Sequence, residues 1–209
     1  MIALDTEAAL VGDASSDYDR FAALFQARGA RLGLVLVGSG PTPTWRGSAS
    51  GAPFIHLQIA NTADPFGVDQ QIALKILLNA HSTAIMGRMG KIVGNTMTNV
   101  SPTNLKLIGR ATYLIQLHVN DVLAGEAWKK LHGAREPITY AEANAVLFDV
   151  MPFVAEKKAQ GDETAAEVAV SIVRILESLR QKRSLTLDET LEQLRGGGLN
   201  AYLASAREH

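Results

Sequence analysis

The chain has 209 residues, of which 47% are hydrophobic and 20% charged, and this predicts one soluble globular domain or a domain with an appendage. Its 20 Lys and Arg residues balance 21 Asp and Glu residues, so the charge predicts no binding to nucleic acid or to an anionic membrane. The sequence contains no cysteine, no signal-peptide pattern and no apolar run long enough to span a bilayer. We therefore expect a cytoplasmic protein without a metal or a cofactor.

The first third of the chain alternates between strand and helix patterns. Apolar runs predict strands at Ala8–Gly12, Leu32–Val37 and Phe54–Ile59. Between the first two, apolar residues recur at helical spacing from Asp17 to Arg28. A strand, a helix and a strand in this order predict parallel pairing through a right-handed crossover.

From Asp69 onward the sequence predicts helices to its end. The pattern from Asp69 to Val93 is apolar nearly all round, which is typical of a helix buried against a sheet or a partner subunit. Ser101–Asn104 predicts an N-cap, with proline at the first position of a helix that runs to Ala127. Further helices are predicted at Tyr140–Ala159, Thr164–Gln181 and Leu187–Leu194. At one helix end we expect a solvated charged group formed by Glu177, Arg180, Lys182 and Arg183.

Two loops carry residues that could bind an anion. After the first predicted strand, Ser15 and Ser16 precede a helix, an arrangement that binds phosphate through backbone N–H groups. The alternative is a capped helix without phosphate, since Asp17 and Asp19 would cap the helix and repel a dianion.

The second loop, Gly38–Pro53, is rich in Gly, Ser, Thr and Pro, and it is either a plain exposed loop or an anion cradle. Its candidate donors are Ser39, Thr42, Thr44 and Arg46. His56, on the strand that follows, has no second metal-ligand residue at suitable spacing, so no metal site is predicted.

The run Lys75–Ala111, KILLNAHSTAIMGRMGKIVGNTMTNVSPTNLKLIGRA, closely resembles the N-acetylmuramic acid 6-phosphate etherases and the related glucokinase regulatory proteins. Weaker similarity covers LVGDASSDYDRFAALFQARGARLGLVLVGS, EVAVSIVRILES and LTLDETLEQLRGGGLNAYL. The matching residues in the first run include Lys75, Leu78, Asn79, Ser82, Thr83, Met86, Arg88, Gly90, Lys91, Gly94, Asn95, Met97, Thr103, Asn104, Lys106, Leu107 and Arg110.

The resemblance implies an α/β fold. The family's sugar-phosphate isomerase (SIS) domain is a three-layer α/β sandwich, so we expect an incomplete SIS-type sandwich with a short parallel sheet, followed by C-terminal helices. The implied division is residues 1–130, the second half of the domain, and residues 131–209, a helical appendage. We expect the domain's first half, with a phosphate loop and the acidic residues credited with eliminating lactate, to be absent from this sequence.

The ligand loops depart from the family pattern. Ser16 falls on the family's loop serine, but Asp17 and Asp19 replace its glycine and threonine. At the family's second ligand loop, an ungapped alignment puts Ile59-Ala60 and Pro65–Asp69 where the family has an acid, hydroxyls and two cations. The resemblance is therefore dense in the helical scaffold and sparse in the loops that hold the sugar.

Two functions stay open. In the first, the chain is a non-catalytic scaffold or partner subunit of a phosphosugar-binding complex, a pseudoenzyme that forms a homodimer or a heterodimer with a subunit carrying the missing half. In the second, it is an active phosphosugar lyase, a carbon–oxygen lyase of the etherase type, or an isomerase, with a site assembled across a dimer. In either, we expect interface contacts from Ile76, Leu77, Ala80 and Ala84.

Overall fold

The structure, a computed structural model, describes residues 1–4, 7–11, 13, 15–42, 51–60, 64–162 and 164–208. The chain forms two compact units, Met1–Thr83 (unit 1) and Ala84–His209 (unit 2). The predicted boundary at residues 130 and 131 separates a family domain from an appendage, and it stays a prediction. Within the described ranges, no helix combines the length and apolar character that crossing a bilayer requires.

Unit 1 contains a short parallel sheet of β1 (Ile2–Leu4), β2 (Leu34–Gly38) and β3 (Phe54–Gln58), in that spatial order. The helices α1 (Ala8–Val11) and α2 (Asp17–Gln26) connect β1 to β2. The small core of this unit consists of Ala3, Val11, Leu34 and Leu36. The expected α/β class with a short parallel sheet is confirmed, and the three-layer SIS sandwich stays a prediction.

The first predicted strand is wrong. Ala8–Val11 form a helical turn, Gly12 lies outside the described residues, and the strand is Ile2–Leu4 instead. The N-terminal residues reach the sheet because the Met1 carbonyl accepts a hydrogen bond from Val35 N–H at 3.0 Å. The run AALV is too short for its periodicity to distinguish a strand from one turn of helix.

The long helix α3 (Val68–Arg88) ends earlier than the predicted Val93. Gly90 has a positive φ of 70°, a conformation that glycine adopts without steric cost. The chain then forms a hairpin of β4 (Ile92–Val93) and β5 (Thr96–Met97). Gly94, with φ 58°, occupies the first central position of its two-residue turn, where such a turn favours glycine.

The expected burial of α3 against the sheet is also wrong, because no residue of α3 is buried in this chain. Ile76 is 64% exposed and Ile72 is 52% exposed. The alternative, that a partner subunit covers the helix, stays a prediction.

Unit 2 is a helical assembly around one apolar core. The central helix, α7 (Glu167–Gln181), packs against α4 (Leu105–Ala124), α6 (Tyr140–Ala159) and α8 (Leu187–Arg195). Two shorter helices, α5 (Glu126–His132) and α9 (Gly198–Glu208), complete it. Buried side chains of α7 supply much of the core: Val168, Val170, Ile172, Val173 and Leu176.

Several details of the helical prediction differ from the structure, including the start of α7, which is Glu167 and not the predicted Thr164. The N-cap of α4 is Asn104, whose side chain accepts from Leu107 N–H at 3.0 Å, so Pro102 lies outside the helix. The predicted continuation to Ala127 is interrupted at Gly125, whose extended backbone separates α4 from α5. A side-chain acceptor fixes a helix start more strongly than proline does, because it satisfies an otherwise unpaired N–H group.

The predicted solvated charge cluster is wrong for Glu177, which is 1% exposed. Its carboxylate accepts hydrogen bonds from the Tyr202 hydroxyl of α9 and the Gln181 amide, each at 3.0 Å. Arg180 forms an ion pair with it at 2.9 Å. These contacts connect α9 to α7, and they compensate the burial of a charge.

Candidate functional site

The predicted phosphate loop before α2 has its donors engaged by neighbouring side chains. The N–H and hydroxyl groups of Ser15 donate to the Asp13 carboxylate at 2.8 and 2.7 Å, and these bonds hold the pKa of Asp13 below its ordinary value. Ser16 is the N-cap of α2 and accepts from Asp19 N–H at 3.3 Å. Ser16 thus caps α2, and the Ser15 donors and the Asp19 N–H have local acceptors. Phosphosugar binding by Ser15 and Ser16 stays a prediction.

The second predicted anion loop is described only in part. Ser39 directly follows β2, and Thr42 is exposed two residues beyond Gly40. The Thr42 hydroxyl and His56 Nδ1 are 2.7 Å apart, so the structure brings Thr42 to a strand residue that the sequence analysis had treated separately. Thr44 and Arg46 lie outside the described residues.

The predicted interface residues lie along α3. Ile76, Ala80 and Ala84 are exposed, and Leu77 is partly exposed. Thr83 and Ala84 mark the boundary between the two units, so Ile76, Leu77 and Ala80 belong to unit 1. Side chains at four-residue spacing share one helix face, which places Ile76, Ala80 and Ala84 along one stripe.

Unit 2 contains a cavity of about 380 Å³ that the sequence analysis did not predict. Its described lining includes residues of four connections: the turn from α3 into β4, the segment between β5 and α4, the loop between α6 and α7, and the glycine turn between α8 and α9. The polar side chains on its wall are Lys91, Thr98, Asn99, Thr164 and Arg195. Its volume is within the range of small-molecule sites in proteins.

The two cationic residues of the cavity have different partners. Arg195 forms ion pairs with Glu192 and, at 3.5 Å, with Asp162. Hydrogen bonds from Thr164, together with Arg195, hold the pKa of Asp162 below its ordinary value. Lys91 is partly buried, and no carboxylate in the described part of the chain forms an ion pair with it. Among the described residues, the cavity therefore contains one positive charge, that of Lys91, without an ion-pair partner.

Hydrogen bonds fix the geometry of the cavity wall. The N–H and hydroxyl groups of Thr98 donate to the Lys91 carbonyl at 3.1 and 3.3 Å, which holds the strand end beside the preceding turn. From the start of α9, the Asn200 amide donates to the carbonyls of Gly90 and Ile92 at 3.2 and 2.8 Å. Segments that are about 110 residues apart in the sequence thus meet at one wall.

Two sequence signals could have indicated this cavity. Lys91 and its neighbour Gly90 belong to the run with the densest family resemblance, and Gly196–Gly198 belong to a second similar segment. The sequence alone predicts a long helix for the first and a turn for the second, and only the tertiary structure brings them together. Among the described residues, no group of three or more His, Asp or Glu side chains is arranged to hold a metal ion.

Comparison with known proteins finds curated relatives that match part of the chain. An N-acetylmuramic acid 6-phosphate etherase of Lactobacillus acidophilus is 41% identical over 69 residues, which are 33% of this chain and 23% of the relative. N-acetylmuramic acid 6-phosphate etherase 1 of Enterococcus faecalis is 54% identical over 44 residues, 21% of this chain and 15% of the relative. The corresponding etherase of Deinococcus radiodurans is 52% identical over 44 residues, 21% of this chain and 14% of the relative.

The chain thus spans less than a quarter of the length of these relatives. No family model matches the chain, and no solved structure matches it. Local identity of this level, repeated across several N-acetylmuramic acid 6-phosphate etherases, shows common ancestry for the matched segment. Part of this chain is therefore homologous to the N-acetylmuramic acid 6-phosphate etherases.

Proposed function

We propose that this chain is an etherase-like subunit of the SIS family that is non-catalytic by itself and acts as a scaffold or partner in a phosphosugar-binding complex. The observation that carries the proposal is the exposure of α3, a 21-residue helix without a buried residue. An apolar helix that its own chain leaves uncovered is a site of association, because contiguous apolar patches are uncommon on monomers.

The side chains of α3 fit a symmetric pairing of two copies. The four-residue row begins with the large Ile72 and Ile76 and continues with the small Ala80 and Ala84. In an antiparallel pair related by a two-fold axis, the isoleucines of one helix lie over the alanines of the other. Leu77 lies beside this row and widens the contact. A stable pair of this kind buries about 1,200–2,000 Å² in total.

The loop before α2 supports the non-catalytic part of the proposal. The Ser15 donors are bound to Asp13, and the first turn of α2 carries Asp17 and Asp19. A phosphate dianion at this helix start would displace one carboxylate and approach two others, which opposes binding electrostatically. Substrate binding through this loop would therefore need a partner or a rearrangement.

Sedimentation equilibrium at micromolar concentration tests the association. We expect a dimer for the wild type and a dissociation constant raised at least about tenfold by Ile76→Glu, since each subunit would place a carboxylate in the apolar contact. The matched control is Leu131→Glu, which adds the same charge at an exposed apolar residue of α5, and it leaves the dimer unchanged. A monomeric wild type contradicts the pairing.

A lactate-release assay with N-acetylmuramic acid 6-phosphate tests the non-catalytic assignment separately. The purified chain is expected to release lactate no faster than a buffer blank. Release above the blank that disappears in the Ile76→Glu variant would instead support an active lyase whose site is assembled across the dimer. Release that persists in that variant would identify a lyase that works without the pairing.

A further inference from the structure

We infer that the cavity of unit 2 is a binding site for the anionic group, phosphate or carboxylate, of a small organic molecule. This inference goes beyond the proposed function, because it requires neither the α3 pairing nor the loop before α2. The described residues that line the cavity lie in unit 2.

The first argument is charge. The cavity-lining residues in the described chain include Lys91 and Arg195 and no carboxylate. Arg195 is balanced by Asp162 and Glu192 outside the lining, whereas Lys91 forms no such ion pair with a described residue. A lysine on the wall of a cavity attracts an anion more strongly than a fully exposed lysine does, because solvent screens its charge less.

The second argument is the supply of hydrogen-bonding groups. Asn99 also lines the cavity and its amide offers two donors, and the Thr98 and Thr164 hydroxyls, which donate to protein groups, retain acceptor capacity. The wall thus contains a cation, an amide and hydroxyls together with the apolar Leu194 and Leu199. This combination suits a molecule with an anionic group and a polar body. Small-molecule sites commonly combine apolar surface with a few such polar groups.

The third argument is the glycine turn. Gly197 has φ 154°, and a Cβ placed there would lie 2.7 Å from the Ala201 Cβ. Gly198 has φ 71°, a backbone conformation in which residues other than glycine are strained. The turn is thus restricted to glycine for conformational reasons, and its bare backbone leaves the cavity wall open to a ligand.

Calorimetric titration of the purified chain tests the inference, with inorganic phosphate, glucose 6-phosphate, lactate and glucose as probes. We expect binding of at least one anionic probe and none of glucose. Lys91→Gln is expected to weaken that binding at least about tenfold, the size of one charge-assisted hydrogen bond. The matched control is Lys106→Gln, which removes an exposed lysine at the start of α4 in the same unit and leaves the affinity unchanged.

The probes distinguish the two anion sources. Binding of phosphate or glucose 6-phosphate without lactate assigns the cavity to phosphorylated molecules, and the reverse assigns it to carboxylates. The inference is overturned if no anion binds, if glucose binds as tightly as glucose 6-phosphate, or if Lys91→Gln and Lys106→Gln weaken binding equally. Since Ile76→Glu lies outside the cavity, anion binding that survives in that variant separates this site from the proposed pairing.

Discussion

Replacing Tyr202 with phenylalanine tests how α9 is held on unit 2. The Tyr202 hydroxyl donates to the Glu177 carboxylate at 3.0 Å, and burial, together with this carboxylate, raises the pKa of Tyr202. Phenylalanine keeps the ring and removes only the hydroxyl, so the substitution deletes one hydrogen bond without opening a large cavity. Among the described residues, the buried carboxylate then retains Gln181 and Arg180 as partners.

The expected loss follows from the charge of the acceptor. A hydrogen bond to an ionised group contributes about 1.5–3 kcal/mol, roughly twice a neutral one. Because Glu177 is 1% exposed, water cannot replace the missing donor without rearrangement of the packing. We therefore expect Tyr202→Phe to lower the free energy of unfolding of unit 2 by about 2 kcal/mol.

Urea denaturation measures this loss when it is followed by the fluorescence of Trp128, which is buried in unit 2. The experiment uses a Trp45→Phe background, since the chain has two tryptophans. Tyr113→Phe is the matched control, because Tyr113 lies on α4 and is 55% exposed, and its effect is expected within about 0.5 kcal/mol. Equal effects of the two substitutions would refute the assigned role of the Tyr202–Glu177 bond.

Three further predictions concern the helix ends. Asn104→Ala removes the N-cap of α4 and is expected to lower the free energy of unfolding by about 1 kcal/mol in urea denaturation, whereas unchanged stability would contradict the cap. Bonds from Arg183 and Thr186 lower the pKa of Glu189 from 4.5 to about 2. The ionised Glu189 therefore stabilises the folded state fully above its unfolded pKa, and this stabilisation is lost as the pH falls towards its folded pKa. Glu189→Gln is expected to reduce the loss of thermal stability between about pH 5 and about pH 3. An unchanged pH dependence would be inconsistent with these bonds to Glu189. Asp17→Gly combined with Asp19→Thr is expected to raise the affinity for inorganic phosphate about tenfold in calorimetry, because two repulsive charges are removed; no gain would show that carboxylate repulsion does not limit the loop.

The sequence by itself determined the elements that local signals mark, such as caps and apolar runs. The predicted helix Tyr140–Ala159 has the same bounds in the structure, and its start is fixed by a local capping box of Thr139 and Glu142. The strands near residues 34–38 and 54–58 were also predictable from their apolar runs. Only the first of these runs is continuously apolar, the pattern of a covered strand. The alternative of a capped helix at Ser16 was also predictable, because a serine before a helix commonly caps it.

Only the tertiary structure decided the elements whose partners are distant in the sequence. Met1 and Ile2 pair with β2, so that the N-terminal residues and not AALV form the edge strand. No local pattern specifies that pairing. Glu177 looks like a surface residue until Tyr202, 25 residues away, is placed against it. The cavity likewise has Lys91 and the glycine turn near Gly197 in its wall, although these residues are distant in the sequence. Local periodicity specifies where helices lie, whereas the site depends on which helix ends meet when the apolar faces are buried.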